Sequence, residues 1–182
     1  MSFIETPIRD LIIFEPRVFE DERGYFFESY NQKTFKEAGI TTEFIQDNQS
    51  YSTFGTLRGM HLQKAEHAQA KLVRVIQGEV LDVAIDLRKN STTFGEHFSV
   101  ILSGENHKQL FVPRGFAHGF VVLSSKAVFQ YKVDNYYNQE SEAGFIYNDS
   151  TTAIDWKIDE KDVELSKKDQ VLPSFNKLLE EL

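Results

Sequence analysis

Hydrophobic and polar residues alternate along much of the middle of the chain. In residues 79–87, Leu81, Val83, Ile85 and Leu87 fall on one face, and Val80, Asp82, Ala84 and Asp86 on the other. A period of two marks an extended strand, and this one reads as half-buried. Residues 97–102 repeat the pattern, with Phe98, Val100 and Leu102 together. Residues 72–76 are apolar apart from Arg74, and Leu110-Phe111-Val112 is a short run that stops at Pro113. Residues 118–123 and 127–132 follow, split by Ser124-Ser125. Gln77-Gly78, Ser103-Gly104-Glu105-Asn106 and Arg114-Gly115 supply the turns. Short strands at this spacing leave no room for crossover helices and predict a β-sandwich or barrel.

Helical signals are few. Residues 31–38 allow about two turns, with Gly39 as the stop. Ser174 is placed to cap a second helix that presents Phe175, Leu178, Leu179 and Leu182 on one stripe. No linker, repeat or low-complexity tract interrupts the chain, so residues 1–182 read as one all-β domain with short helical trimmings.

Composition narrows the function class. A 182-residue chain with 41% hydrophobic and 13% aromatic residues builds a sizeable core. Sixteen Phe and seven Tyr suit packed sheets better than a helical bundle. No run approaches the roughly 18 apolar residues of a membrane span. The start of the chain lacks a basic stretch followed by a long apolar one, so no secretion signal is expected and the cytoplasm is the expected compartment. The absence of Cys excludes disulfides, thiolate metal sites and a Cys nucleophile. A net charge of −8 argues against nucleic-acid polymers and anionic membranes. It leaves room for a small anionic ligand, because local Arg and Lys dominate within a Debye length of roughly 8 Å.

The segment with most chemistry is Arg58-Gly59-Met60-His61, followed by Lys71. A guanidinium binds phosphate with two parallel hydrogen bonds. An imidazole accepts a proton at neutral pH, and an ammonium stabilises a developing oxyanion. Arg58, Lys71 and Arg74, all near in sequence, are expected to keep His61 neutral. His118 lies between two apolar stretches beside Gly119, where a buried histidine satisfied by backbone and a functional one are equally plausible. Tyr131 shares a strand face with Ala127 and Phe129, which fits a core aromatic or a phenol aimed into a cavity. Asp169 reads as an exposed loop carboxylate or as the partner that orients an imidazole. Phe19, Arg23 and Glu28 fall in a segment that suits a hairpin or a nucleotide contact, and the amides from Gln46 through Asn48 suit turns or the reading of polar edges. A cupin-type metal site needs two His one residue apart, but Gln63 occupies the second position.

Taken in order, these segments resemble the dTDP-4-dehydrorhamnose 3,5-epimerase family. The resemblance runs from about residue 8 to residue 175, through Asp21-Glu22-Arg23-Gly24, Gln46-Asp47-Asn48, Leu57-Arg58-Gly59-Met60-His61, Gln69-Ala70-Lys71-Leu72-Val73, Pro113-Arg114-Gly115-Phe116-Ala117-His118 and Ser166-Lys167-Lys168-Asp169. It departs at Lys64-Ala65-Glu66-His67-Ala68, where the family is Pro-rich, and at Trp156-Lys157, where Trp-Pro is common. The resemblance implies a cupin-like jelly roll, a homodimer that can exchange N-terminal strands, and catalysis without metal or organic cofactor. It implies His61 as base paired with Asp169, Tyr131 as general acid, and Lys71 beside the keto oxygen. His118, Arg58, Gln46 and Asn48 then correspond to substrate contacts, and Phe19, Arg23 and Glu28 to a nucleotide-binding strand. The alternatives are an epimerase of carbon 3 alone or carbon 5 alone, and a non-catalytic nucleotide-sugar-binding cupin.

Overall fold

In the computed structural model, which describes residues 1–182, the chain forms fourteen strands and two short helices. They are β1 (Ser2–Glu5), β2 (Ile12–Glu15), β3 (Phe19–Asp21), β4 (Gly24–Phe26), α1 (Gln32–Glu37), β5 (Gln46–Thr53), β6 (Thr56–Gln63), β7 (Lys71–Gln77), β8 (Glu79–Asp86), β9 (His97–Ser103), β10 (Gln109–Val112), β11 (Phe116–Val122), β12 (Lys126–Val133), β13 (Glu142–Gly144), β14 (Glu164–Leu165) and α2 (Phe175–Glu180). One sheet has the order β1-β2-β10-β7-β12-β5, and the other β13-β6-β11-β8-β9, with β14 added in parallel to β6. From β5 to β12 successive strands cross between the sheets, with β8–β9 the one hairpin that stays within a sheet. This is the jelly-roll connectivity of a cupin-like fold. The expected strands all form, each within a residue or two of its sequence boundary. No helix is long and apolar enough to cross a membrane.

Antiparallel register fixes which side chains meet between the sheets. Val73 and Val75 of β7, Val80 and Ala84 of β8, Phe116, Phe120 and Val122 of β11, and Ala127 and Phe129 of β12 form the inner core. The outer face of the second sheet is covered as well. Leu81, Val83 and Ile85 pack there against Phe145, Trp156, Phe175 and Leu178 from the C-terminal third. The half-buried reading of residues 79–87 is therefore corrected: every residue of β8 after Glu79 is buried. Alternation persists only because Asp82 and Asp86 occupy the inner face, where each finds hydrogen-bonding partners.

The helices form where expected. Asn31 caps α1 by accepting from the backbone N–H groups of Lys33 and Thr34. Phe35 then enters a third cluster with Phe14, Leu72 and Phe111 on the outer face of the first sheet, a burial that contributes roughly 2–3 kcal/mol. Ser174 caps α2 by accepting from Lys177 N–H, and Phe175 and Leu178 are its buried residues. Residues 46–53, whose amides suggested turns, instead make the long edge strand β5. Its inward positions are Gln46, Asn48, Ser50 and Ser52, opposite Val133, Tyr131, Phe129 and Ala127. Polar inward residues in an edge strand produce no apolar signal, yet they line the interior between the sheets.

Candidate active site

The space between the two sheets is filled by apolar side chains at one end and open at the other. The open end is a cavity of about 560 Å³ lined by Arg58, His61, Lys71, His118, Tyr131 and Asp169, with Ser50, Phe120 and Phe129 among its other walls. Phe120 of β11 stacks on Phe129 of β12 with centroids 4.1 Å apart, closing its apolar floor. Six of the eleven residues singled out from the sequence thus meet in one place.

A register slip makes this possible. His61 of β6 lies opposite His118 of β11, whereas Arg58 lies opposite Phe120. Three steps on one strand match two on the other, a bulge that turns both Arg58 and His61 inward. Gly59 permits it, having a φ of +135° and lying where a Cβ would come within 2.5 Å of Gly119 Cα. On the other side of β6, Gly144 pairs with His61. A Cβ there would meet Met60 O at 2.3 Å, so the close approach of β13 also depends on glycine.

His61 Nε2 lies 2.6 Å from Asp169 Oδ1. Asp169, 4% exposed, is held in a short 3₁₀ turn whose backbone N–H donates to Ser166 Oγ. The exposed-loop reading of Asp169 is corrected: residues 160–172 fold back along β6. Burial pushes its carboxyl up, but the His61 hydrogen bond and charge, Ser166 and Lys168 outweigh that and hold it below the ordinary carboxylate range. The pair is a carboxylate–imidazole dyad with the ring facing the cavity.

Tyr131 reaches the cavity from β12 in the opposite sheet. Burial raises its phenol above the ordinary value, and Arg58 partly offsets this, so the hydroxyl is protonated at neutral pH. Lys71 enters from β7; burial lowers its ammonium to about 8, against the opposing charges of Asp82 and Glu142. His118 is buried, but its partner is a carboxylate and not the backbone: Nε2 lies 2.9 and 3.0 Å from the two oxygens of Asp82. Arg58 donates to Ser52 Oγ at 3.3 Å.

Arg74 is elsewhere. Strand alternation turns it to the outer face of the first sheet, where it donates to Gln130 Oε1 and lies over the Phe27 ring. The expectation that it adds to the field at His61 is corrected. Gln46 and Asn48 face inward beside Tyr131 and bond to each other at 2.8 Å. Phe19, Arg23 and Glu28 do not line the cavity of their own chain. Phe19 and Arg23 belong to the β3–β4 hairpin, where Arg23 pairs with Asp21, and Glu28 accepts from Asn31 near α1. Sequence reasoning missed a second pocket on the far side of His61, lined by Tyr137, Glu142 and Lys168. There Tyr137 Oη donates to Glu142 at 2.7 Å, and Lys168 pairs with the same carboxylate. The period-two signal was absent from that loop-rich stretch. No three His, Cys, Asp or Glu side chains are grouped to hold a metal ion.

The family model described as dTDP-4-dehydrorhamnose 3,5-epimerase matches residues 5–177. The chain belongs to this family. The dTDP-4-dehydrorhamnose 3,5-epimerase of Salmonella typhimurium is 52% identical over 180 residues, 98% of each chain. The crystal structure of the Elizabethkingia anophelis epimerase superposes with a TM-score of 0.94 at 58% identity, covering 97% of both chains. An epimerase from Legionella pneumophila, solved in complex with dTDP-4-keto-L-rhamnose, gives 0.92 at 50% identity over 96% of this chain and 93% of that one. Family membership agrees with the resemblance carried by the Arg58–His61 and Lys71 segments and with the jelly-roll expectation.

Proposed function

We propose that this protein inverts carbons 3 and 5 of dTDP-4-keto-6-deoxy-D-glucose, giving dTDP-4-keto-L-rhamnose for dTDP-L-rhamnose synthesis. The observation that carries the mechanism is the division of acid and base between facing sheets. His61, backed by Asp169 from the C-terminal 3₁₀ turn, stands on one sheet and protonated Tyr131 on the other, with the cavity between them. A hydrogen beside a ketone is acidic because its loss gives an enolate. His61 takes that proton as Asp169 stabilises the resulting imidazolium. Lys71 stabilises the enolate oxygen in a cavity with an apolar floor. Tyr131 then returns a proton to the opposite face of the carbon, and the centre inverts. One group alone, returning its own proton, would restore the starting sugar. Each round leaves an imidazolium and a phenolate, which solvent must reset before the next. The substrate's own carbonyl supplies the electron sink, so the reading needs no metal or organic cofactor.

Arg58, His118, Gln46 and Asn48 bind the sugar diphosphate in this reading. The pocket behind His61 supports it, since exposed Tyr137 offers an aromatic face for a base. A homodimer completes the site. The β3–β4 hairpin pairs with no other strand of its own chain, and Phe19, Tyr25 and Phe26 are 51%, 57% and 67% exposed. Delivered to a second copy, the hairpin brings Phe19 and Arg23 to the neighbour's nucleotide, with Glu28 close behind. The single folded domain works in the cytoplasm.

The deciding experiment is proton NMR of the purified protein with dTDP-4-keto-6-deoxy-D-glucose in heavy water. Deuterium at both carbons 3 and 5, with the L-sugar accumulating, is expected. Exchange at one carbon would replace the proposal with a single-site epimerase. Binding without exchange would leave only a nucleotide-sugar-binding protein.

A further inference from the structure

Asp82 has no part in the mechanism above, yet it is 0% exposed and lies against the cavity wall. It sits in the middle of β8, on the inward face, opposite Phe120 in the register with β11. Both its oxygens approach one atom, His118 Nε2. An ionised carboxylate only accepts hydrogen bonds. The proton of a neutral His118 is therefore on Nε2, and Nδ1 carries a lone pair. Nδ1 has no hydrogen-bond partner in the protein, and no fully buried side-chain nitrogen lacks one. Since His118 lines the cavity, Nδ1 is the atom it presents there.

We infer that Asp82 is a positioning residue: its buried carboxylate locks His118 in the tautomer that offers Nδ1 as an acceptor to a sugar hydroxyl. The inference rests on the epimerase reading for its substrate, but not for its geometry. One feature agrees with it. Burial lowers the His118 value, Asp82 opposes that, and Lys71 and His61 add to it, so the ring is neutral at neutral pH and its tautomer matters. An acceptor fixed at Nδ1 selects a substrate with a hydroxyl at that point. A deoxy analogue leaves the lone pair unmet, and a site built to read a hydroxyl rejects such an analogue strongly.

Asp82→Asn keeps the shape of the side chain and removes its charge.

The test uses nitrogen-15 NMR of the free, full-length protein, with no substrate present. In the parent at pH 7.5, His118 is expected to show a protonated Nε2 and an unprotonated Nδ1. The opposite tautomer or an imidazolium overturns the inference without any variant being made. In Asp82→Asn, where the amide can offer either its oxygen or its NH₂ group, a mixture of tautomers is expected. A folded Asp82→Asn protein with the parent's tautomer would show that Asp82 merely fills space. Failure of the parent to epimerise would overturn the function proposed above and leave these spectra interpretable.

Discussion

Lys71 is held where an ammonium is costly. Its value is lowered to about 8 from an ordinary 10.5, so between those values the unfolded chain binds more protons than the folded one. Stability from this group therefore rises with pH through that window and is lowest below it. Lys71→Met should gain on the order of 1–3 kcal/mol at pH 7, seen as a higher urea midpoint, while turnover collapses. A less stable variant would mean that the attraction of the Asp82 and Glu142 charges outweighs burial. Asp169 works in the other sense. Its carboxyl is held low by His61, so its contribution is present above the unfolded value of about 4 and is lost as pH falls through the folded one. Asp169→Asn should flatten that acid limb in unfolding experiments. His61→Ala is expected to lower deuterium exchange by about 10²–10⁴-fold with little loss of stability; substantial residual exchange would remove it as the base. Tyr131→Phe should impair inversion more than exchange, and equal loss of both would reduce Tyr131 to a wall of the cavity. His61, Lys71 and Tyr131 were legible as chemistry because their residue types are scarce or out of place among apolar neighbours. Asp82 was not, since an aspartate at an alternating position reads as the wet face of a strand.

At the level of elements, what the sequence reveals depends on whether a signal is local. The caps at Asn31 and Ser174 are local, and both helices begin where those residues predict. Ser174→Ala should cost about 1 kcal/mol and leave catalysis unchanged; a loss of activity would tie α2 to the site through the wall it supports. The bulge between Arg58 and His61 is not local, for it exists only as a mismatch with β11. No periodicity along β6 announces that residues three apart share a face. Gly59→Ala tests the device directly. With φ at +135° and Gly119 2.5 Å from the added carbon, the change should destabilise by at least about 1–3 kcal/mol and re-aim His61. A variant with parental stability and turnover would mean that β6 tolerates another path. Strand β5 was illegible for a different reason. Its inward residues are amides and hydroxyls, which give no apolar period, and of them Ser50 lines the cavity.

For the whole molecule, the exposed hairpin is the feature that a single chain leaves unexplained. Sedimentation should give twice the 21.0 kDa of one chain. Phe26→Asp, at a position 67% exposed, should yield a folded monomer with weaker affinity for dTDP. Arg23→Ala should weaken dTDP binding with the dimer intact, while the rate at saturation survives. A dimer untouched by Phe26→Asp would place its interface on another face. The sandwich itself has a consequence for what it will accept. Facing sheets stand about 10 Å apart whatever their sequence, and here His61, the proposed proton acceptor, hangs from one and Tyr131, the proposed donor, from the other. The backbone thus acts as a caliper of fixed opening. A single pyranose ring lying between the jaws has each flat side turned to a different sheet, whereas a ring bearing a bulky branch on either side would have to force the jaws apart. Thickness, more than any individual contact, sets the outer bound on the sugars this protein can turn over.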